Sequence, residues 1–106
     1  MQTNELVAFV VDKVDDMKAR DIVTLDVRGK SSVTEFMVIC SGTSSRHAKS
    51  IAGYLAQEVK KQGIQPLGIE GEASGEWVLL DLDSVVVHVM QEESRHFYQL
   101  EKLWGG

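Results

Sequence analysis

The sequence predicts a single α/β domain, in which helices flank a mixed five-stranded sheet in the order α-β-β-α-β-β-β-α. A length of 106 residues and a hydrophobic content of 43% suit one compact core and leave no room for a second domain. Segments with apolar residues at the three-and-four spacing of helices separate segments rich in β-branched residues, as in strands. We therefore treat residues 1–106 as one domain.

The N-terminal third predicts a helix followed by two antiparallel strands. An apolar stripe at helical spacing predicts a helix with one buried face, which Thr3 or Asn4 could cap. The stripe consists of Leu6, Phe9, Val10, Val14 and Met17. Residues 21–27 alternate apolar and polar side chains, as a strand with one polar face does. A polar turn leads into residues 33–40, which are almost continuously apolar and predict a central strand antiparallel to the first.

The middle of the chain predicts a second helix and a crossover to a parallel strand. Serines between residues 41 and 45 could cap this helix, which Gly63 ends. Its apolar stripe consists of Ala48, Ile51, Ala52, Leu55 and Val59. A short strand is predicted at residues 67–69, directly after Pro66. Because a strand, a helix and a strand in this order place the two strands parallel, the sheet must be mixed.

The C-terminal third predicts a hairpin and a last helix. Residues 76–82 and 85–90 have strand patterns, and Asp83 and Ser84 between them are typical turn residues. Ser94 could cap the final helix. That helix carries Phe97, Leu100 and Trp104.

The charge of the chain is unevenly placed. The net charge is −5, yet residues 1–53 are neutral, with seven acidic and seven basic residues. From Glu70 to the end there are eight acidic residues and two basic ones, which gives this part a charge of −6. Such a surface repels phosphate backbones and attracts basic protein surfaces. The sequence therefore predicts a basic protein partner and no direct nucleic-acid specificity.

The compartment is predicted from cysteine usage and from the N-terminus. The single cysteine, Cys40, lies in an apolar run where a small hydrophobic side chain would fit, and it cannot form a disulfide within the chain. The first residues lack the features of a signal peptide, and no uncharged apolar run is long enough to span a bilayer. We expect a cytoplasmic protein that does not enter the membrane.

Two motifs would suit a nucleotidyltransferase. Ser41-Gly42 lies between a strand and a helix, where backbone amides favour an anion, and Asp81-Leu82-Asp83 could place two carboxylates on one side of a strand to hold magnesium. The carboxylates come a whole helix and a strand after the Ser-Gly turn, later than such an enzyme requires. Asp83-Ser84 is better explained as a hairpin turn, although the turn alone does not explain Asp81. We therefore expect no enzymatic activity.

The sequence gives no support for a metal site or a cofactor. His47, His88, His96 and Cys40 lack the close ligand spacing of a zinc site. His88 shares a strand face with Val86 and Met90, where a hydrogen-bonded core histidine is the ordinary interpretation. No metal and no cofactor are expected.

The C-terminal part carries an array of residues that is typical of protein interfaces. It comprises Trp77, Asp81, His88, Arg95, Tyr98 and Trp104. Aromatic residues and arginine next to charged residues are common anchors of such interfaces. Core packing is the alternative for Trp104 and for part of Trp77.

A set of residues along nearly the whole chain follows the pattern of one family. They are Leu25-Asp26-Val27, Ser31, Thr34, Ile39-Cys40-Ser41-Gly42-Thr43-Ser44, Arg46, Glu70-Gly71, Trp77, Asp81, Val87-His88, Arg95, Tyr98, Leu100-Glu101 and Leu103-Trp104. This pattern resembles the Iojap family of ribosomal silencing factors, RsfS. Residues 87–104 closely resemble those of enterobacterial members.

The resemblance implies a non-catalytic factor that acts on the ribosome. Members of the family bind large-subunit ribosomal protein fourteen, sterically prevent the small subunit from joining, and lower translation when nutrients are scarce. The resemblance also implies a fold similar to the nucleotidyltransferase core, and a free protein that could form a homodimer.

The acidic charge of the C-terminal part, its array of interface-type residues and the family resemblance together predict one partner-binding site. Its residues are Trp77, Asp81, His88, Glu92, Arg95 and Tyr98. The aromatic residues would be buried by the partner, and the carboxylates would pair with its lysines or arginines. Two alternatives remain open, namely a catalytically active nucleotidyltransferase and a dimerising scaffold with another basic protein partner.

Overall fold

The computed structural model describes residues 1–105, which fold around one five-stranded sheet. The helices and strands in chain order are α1 (Thr3–Asp16), β1 (Arg20–Asp26), β2 (Phe36–Gly42), α2 (Ser45–Lys61), β3 (Gly68–Glu70), β4 (Trp77–Asp81), β5 (Val85–Gln91), α3 (Glu92–Tyr98) and α4 (Leu100–Gly105). The predicted α/β class, with a mixed sheet and flanking helices, is confirmed. The likeness to a nucleotidyltransferase core stays a prediction.

The sheet has the strand order β1-β2-β5-β4-β3. β1 is antiparallel to β2, β2 is parallel to β5, and β4 is antiparallel to both β5 and β3. β2 and β3 therefore run in the same direction, as the predicted crossover requires, but two other strands separate them. The predicted hairpin between β4 and β5 is confirmed, and the Leu82 amide closes its turn by donating to the Val85 carbonyl at 2.9 Å.

The two faces of the sheet are covered to different extents. α1 and α2 pack against one face, where buried residues such as Val38, Val87, Ile51 and Leu55 form the main core. Alternate residues of a strand point to opposite faces, so the other face carries a second set of side chains. Its smaller core consists of Ile39, Met90 and Leu100, with Leu25, Trp77 and Trp104 packed against it. The short helices α3 and α4 cover this second face only in part.

The ends of the two long helices follow the expected capping rules, with one difference. The Ser44 hydroxyl accepts a hydrogen bond from the His47 amide at 3.1 Å, so a serine caps α2 as predicted, and Gly63 has the left-handed φ of +80° just beyond its end. α1 is capped by Gln2 instead of Thr3 or Asn4. The Gln2 amide donates to the Glu5 carboxylate at 3.2 Å, which favours a start one residue earlier than predicted.

The single last helix of the prediction is broken into two. Gln99 has φ 50°, a left-handed conformation that ends α3 after Tyr98. The break lets Leu100 turn into the smaller core while Phe97 stays exposed. Ser94 lies inside α3 and does not cap it, because the N-cap position belongs to Gln91.

Candidate protein-binding surface

The second face of the sheet carries an ordered row of side chains along its open side. On β4, Trp77, Leu79 and Asp81 point to the same side because they alternate along one strand. Pairing with β5 places Leu79 beside His88, and Trp77 beside Met90. Trp77, Leu79 and Asp81 are all half-buried, so α3 and α4 leave this part of the sheet accessible.

Trp77 and His88 are held together by a hydrogen bond. The indole Nε1 of Trp77 donates to Nδ1 of His88 at 3.0 Å, and the ring centroids lie 5.8 Å apart. Because Nδ1 accepts this hydrogen bond, the proton of the neutral imidazole is on Nε2. His88 is only 5% exposed, which confirms the interpretation as a hydrogen-bonded core histidine. His88 therefore fixes the orientation of Trp77 from below.

Two aromatic rings of α3 extend the surface outward from Trp77. The Tyr98 ring lies 4.7 Å from the Trp77 ring at an angle of 46°, and Phe97 meets Tyr98 edge-on at 5.1 Å. Tyr98 is 51% exposed and Phe97 is 80% exposed. We call Trp77, Phe97 and Tyr98 the aromatic surface. Three contacting rings, of which two are mostly open to solvent, form an apolar patch that suits a protein partner.

Glutamates border the aromatic surface on two sides. A shallow cavity of about 260 Å³ lies between Trp77, Leu79, Gly71 and Glu70. A second cavity, of about 340 Å³, is lined by Phe97, Tyr98, Gln91, Ser94, Glu76 and Glu93. The three glutamates are exposed. The aromatic surface therefore has an acidic border, which agrees with the negative charge predicted for this part of the chain.

The pKa of His88 predicts a loss of stability in mild acid. Burial lowers this pKa from 6.5 to about 4, so between these pH values the unfolded chain takes up a proton that the folded chain does not. The stability that neutral His88 contributes is complete above pH 6.5, falls as the pH drops from 6.5 towards 4, and is fully lost below pH 4. Between pH 7 and pH 5 the wild type should lose about 2 kcal/mol more unfolding free energy than His88→Gln. Urea denaturation at the two pH values measures the unfolding free energy of both proteins. An equal pH dependence in both would contradict a lowered pKa of His88 in the folded chain.

Arg95 is engaged within the chain. Its guanidinium donates from Nη1 to the Ser41 hydroxyl at 2.8 Å and from Nε to the Glu101 carboxylate at 3.1 Å. The side chain is only 10% exposed. Arg95 thus ties α3 to the end of β2 and to α4, in a cavity of about 480 Å³ that Glu92 also lines. Glu92 is exposed and lies 3.9 Å from the Arg20 guanidinium.

Asp81 lies at the far end of β4 from Trp77. The two residues are four positions apart along the strand, which corresponds to about 13 Å. The Asp81 carboxylate accepts a hydrogen bond from the Asp83 amide at 2.9 Å, so it stabilises the hairpin turn. The expectation that the turn would leave Asp81 unexplained was therefore wrong. Of the six predicted site residues, the structure brings together Trp77, His88 and Tyr98.

The two nucleotidyltransferase motifs lie at opposite ends of the sheet. Ser41 is aligned with Met90 and Trp77, whereas Asp81 is aligned with Val86, because β4 runs antiparallel to β2 and β5. Asp83 follows β4 in a turn with φ 73°, so it does not share a strand face with Asp81. The Thr43 amide donates to Nδ1 of His47 at 2.9 Å and is already occupied, unlike the amides of a phosphate-binding turn. These motifs do not converge on one site.

The part of the chain that the structure describes shows neither a metal-binding cluster nor a membrane-spanning helix. Among residues 1–105, no group of three or more His, Cys, Asp or Glu side chains is arranged to hold a metal ion. None of the helices that the structure describes is both long and apolar enough to cross a membrane.

The sequence of the chain matches a known family over its entire length. The RsfS model, described as "Ribosomal silencing factor during starvation", matches residues 1–106. The chain belongs to the RsfS family. The ribosomal silencing factor RsfS of Haemophilus influenzae is 48% identical over 100 residues, covering 94% of this chain and 98% of that protein. The RsfS of Chromobacterium violaceum is 38% identical over 106 residues, covering 100% of this chain and 87% of that protein.

Solved structures also match. A crystal structure of a protein from Chromobacterium violaceum has a TM-score of 0.97 and 38% identity, and the match covers 100% of this chain and 88% of that one. A crystal structure from Bacillus halodurans has a TM-score of 0.87 and 41% identity, with coverage of 96% and 95%. The family resemblance of the sequence is confirmed, and the names of these RsfS relatives indicate a regulatory role at the ribosome.

Several residues of this surface were not predicted from the sequence. Phe97 was assigned to the last helix as an apolar residue, but it is the most exposed ring of the aromatic surface. A signal was present, since Phe97 and Tyr98 are adjacent and neighbouring helical residues cannot both face the same core. Leu79 and the three bordering glutamates carry no local signal of their own. Their position depends on which strands pair.

Proposed function

We propose that the chain binds the large ribosomal subunit through large-subunit ribosomal protein fourteen and sterically blocks joining of the small subunit under nutrient limitation. The aromatic surface with its acidic border is the observation that carries this proposal. Membership of the RsfS family supports the ribosome as the target. The chain would act in the cytoplasm, as a binding factor without a catalytic step.

The aromatic surface supports a protein partner. Aromatic residues carry a large share of the binding energy in protein interfaces, and they do so where the partner excludes water from them. Tyr98 lies in the middle of the three-ring stack and is half-exposed, so a partner could bury it without any rearrangement of this chain. His88 keeps the Trp77 ring in place before binding, which lowers the entropy lost on association.

The acidic border supports a basic partner. Glu70, Glu76 and Glu93 surround the rings and are exposed. Ribosomal proteins are commonly basic, so opposite charges would steer the encounter and favour one orientation. A neutral or acidic partner would have to desolvate these glutamates without compensation.

A steric mechanism requires only that the bound chain occupies space. The chain measures about 33 × 32 × 21 Å. A body of this size on the intersubunit face of the large subunit would keep the small subunit from its own contacts. No group transfer and no cofactor are needed, in agreement with the regulatory names of the relatives.

The proposal is tested by subunit joining. Purified large and small subunits are mixed with a saturating amount of the chain and separated on a sucrose gradient. We expect separate subunits, with the chain in the large-subunit fraction. Full ribosomes that form to the same extent with and without the chain would contradict the steric block. A pull-down with purified ribosomal protein fourteen tests the partner independently.

A dimerising scaffold with another basic partner is the second candidate. The same exposed rings of Phe97 and Tyr98 favour it, because two copies could cover each other's aromatic surface. However, the two acidic borders would then be brought together, and like charges oppose such a contact. Binding to some other basic protein, with no binding to ribosomal protein fourteen, would favour this candidate.

A further inference from the structure

The outward side of α2 is a cationic stripe that the aromatic surface does not use. Along this helix the exposed residues Arg46, Lys49, Lys60 and Lys61 point away from the core, because at 3.6 residues per turn their positions fall within a sector of about 120° of the helix surface. The residues between them on this side are Ser50, Gly53 and Gln57. We call these seven residues the cationic stripe. It contains no acidic residue, in a chain with a net charge of −5.

Most of the positive charge of the cationic stripe is not paired with acidic side chains of the described residues, and can therefore contact a partner. Within residues 1–105, Arg46, Lys49 and Lys60 form no ion pair, and only Lys61 is bound, to Glu58 at 2.8 Å. The stripe lies on the opposite side of the sheet from the aromatic surface, because α2 covers the face formed by Val38 and Val87. Both surfaces could therefore be occupied at the same time.

Gly53 lies in the middle of the cationic stripe, where the fold does not require a glycine. A Cβ atom at this position would meet nothing within 4 Å. Glycine inside a helix lowers stability relative to alanine, so its presence there calls for another reason. Without a side chain, the helix backbone can approach a partner closely between the two pairs of cations. This is a second observation, independent of charge, that points to a bound partner.

We propose that the cationic stripe binds the phosphate backbone of double-stranded RNA without reading its sequence. From Arg46 to Lys61 the stripe extends about 22 Å along the helix, so it can contact several phosphates of a duplex at once. Duplex RNA is recognised mainly by its shape and its phosphates, which suits a stripe without base-reading geometry. This inference does not rest on the proposed function.

A protein partner and a lipid membrane fit the cationic stripe less well than duplex RNA does. A protein partner would be expected to use buried aromatic or aliphatic anchors, and the stripe contains none. A membrane-bound helix inserts its apolar face into the lipid, but the apolar face of α2 is buried in the core at Ile51, Leu55 and Val59. Duplex RNA requires neither feature.

The test uses the full chain and a labelled RNA duplex of about 20 base pairs, with fluorescence anisotropy at several salt concentrations. Three phosphate contacts, from the unpaired Arg46, Lys49 and Lys60, predict that the logarithm of the binding constant falls linearly with the logarithm of the salt concentration, with a slope of about −2.7. The double variant Lys49→Gln with Lys60→Gln should bind at least about tenfold more weakly, with a slope shallower by about 2. No anisotropy change at about 100 µM protein in low salt would overturn the proposal.

Two controls separate the cationic stripe from net charge and from folding. Lys30→Gln with Lys102→Gln changes the net charge equally but lies outside α2, and it should leave RNA binding almost unchanged. An equal loss with both pairs would overturn the proposal. Gly53→Ala should raise the midpoint of thermal unfolding and yet weaken RNA binding about threefold, because the added methyl group keeps the backbone at a distance. Tighter or equal RNA binding by Gly53→Ala would count against a close approach.

Further measurements show whether the cationic stripe prefers RNA to other polyanions, and whether RNA and the ribosomal protein bind to different surfaces of the chain. Anionic phosphatidylglycerol vesicles and polyglutamate should bind more weakly than the RNA duplex, and equal binding of either would overturn the assignment to RNA. Tyr98→Ala should leave RNA binding intact, and the α2 variants should leave binding to isolated ribosomal protein fourteen intact. The proposal for the cationic stripe and the proposal for the aromatic surface can thus be confirmed or contradicted independently.

Discussion

Replacing Tyr98 with alanine should weaken binding of the chain to large-subunit ribosomal protein fourteen by about 30-fold or more. The centre of the Tyr98 ring lies 4.7 Å from that of Trp77 and 5.1 Å from that of Phe97, which it meets edge-on, so Tyr98 is the central ring of the aromatic surface. A partner that covers this surface would bury the exposed half of the ring, and truncation would leave a gap at the centre of the interface. Titration calorimetry with the purified ribosomal protein measures the change.

Folding should be little affected by this replacement. Tyr98 is 51% exposed and belongs to none of the buried clusters, and exposed truncations usually change the unfolding free energy by less than about 1 kcal/mol. Trp77→Ala would be less informative, because it would also remove the hydrogen bond to His88. Tyr98→Phe keeps the ring contact with Trp77 and should retain most of the affinity.

A matched control is available on α4. Leu103 is 71% exposed, more than Tyr98, but its helix packs against β1 at the other edge of the sheet from β4. Leu103→Ala should bind ribosomal protein fourteen like the wild type. If both truncations weaken binding equally, the partner does not distinguish the aromatic surface from other exposed apolar residues, and the proposed interface is wrong.

The local elements were predictable because their patterns are local. The three-and-four spacing from Ala48 to Val59 reflects one buried face of α2, and the apolar runs of β2 and β5 reflect strands covered on both faces. The turn residues Asp83 and Ser84 marked the hairpin correctly. In each case the signal lies within a single helix, strand or turn, and the sequence contains all of it.

The arrangement of the site depends on long-range pairing, which such patterns do not contain. Insertion of β5 and β4 between β2 and β3 places Ser41 and Asp81 at opposite ends of the sheet. From the sequence, Arg95 was predicted to be an exposed interface arginine. Its hydrogen-bond partner Ser41 is 54 residues away in the sequence, so no local pattern indicates that the two side chains meet. The helix break at Gln99 was also not predictable from the sequence. Gln99 has a left-handed conformation, and a non-glycine residue gives no local indication that a helix will break there.

Replacing Gly71 with alanine should destabilise the chain by about 3 kcal/mol or more. Gly71 has φ +83°, a conformation that an L-residue adopts with strain, and an added Cβ atom would overlap the carbonyl oxygen of Trp77. The carbonyl carbon of Trp77 would also be within 3.0 Å. Because Trp77 is paired with Met90 in the sheet, its backbone cannot move away without disturbing β4. Urea denaturation measures the loss.

Gly29 provides the matched control, since its φ is also +83° but an added Cβ atom would meet nothing within 4 Å. Gly29→Ala should therefore cost only the backbone strain, about 1 kcal/mol. The difference between the two variants isolates the overlap with Trp77, because the strain is common to both. Equal losses would mean that the loop before β4 relaxes freely. A larger loss for Gly71→Ala, together with weaker binding to ribosomal protein fourteen at temperatures where the variant is folded, would mean that Gly71 keeps Trp77 in its binding position.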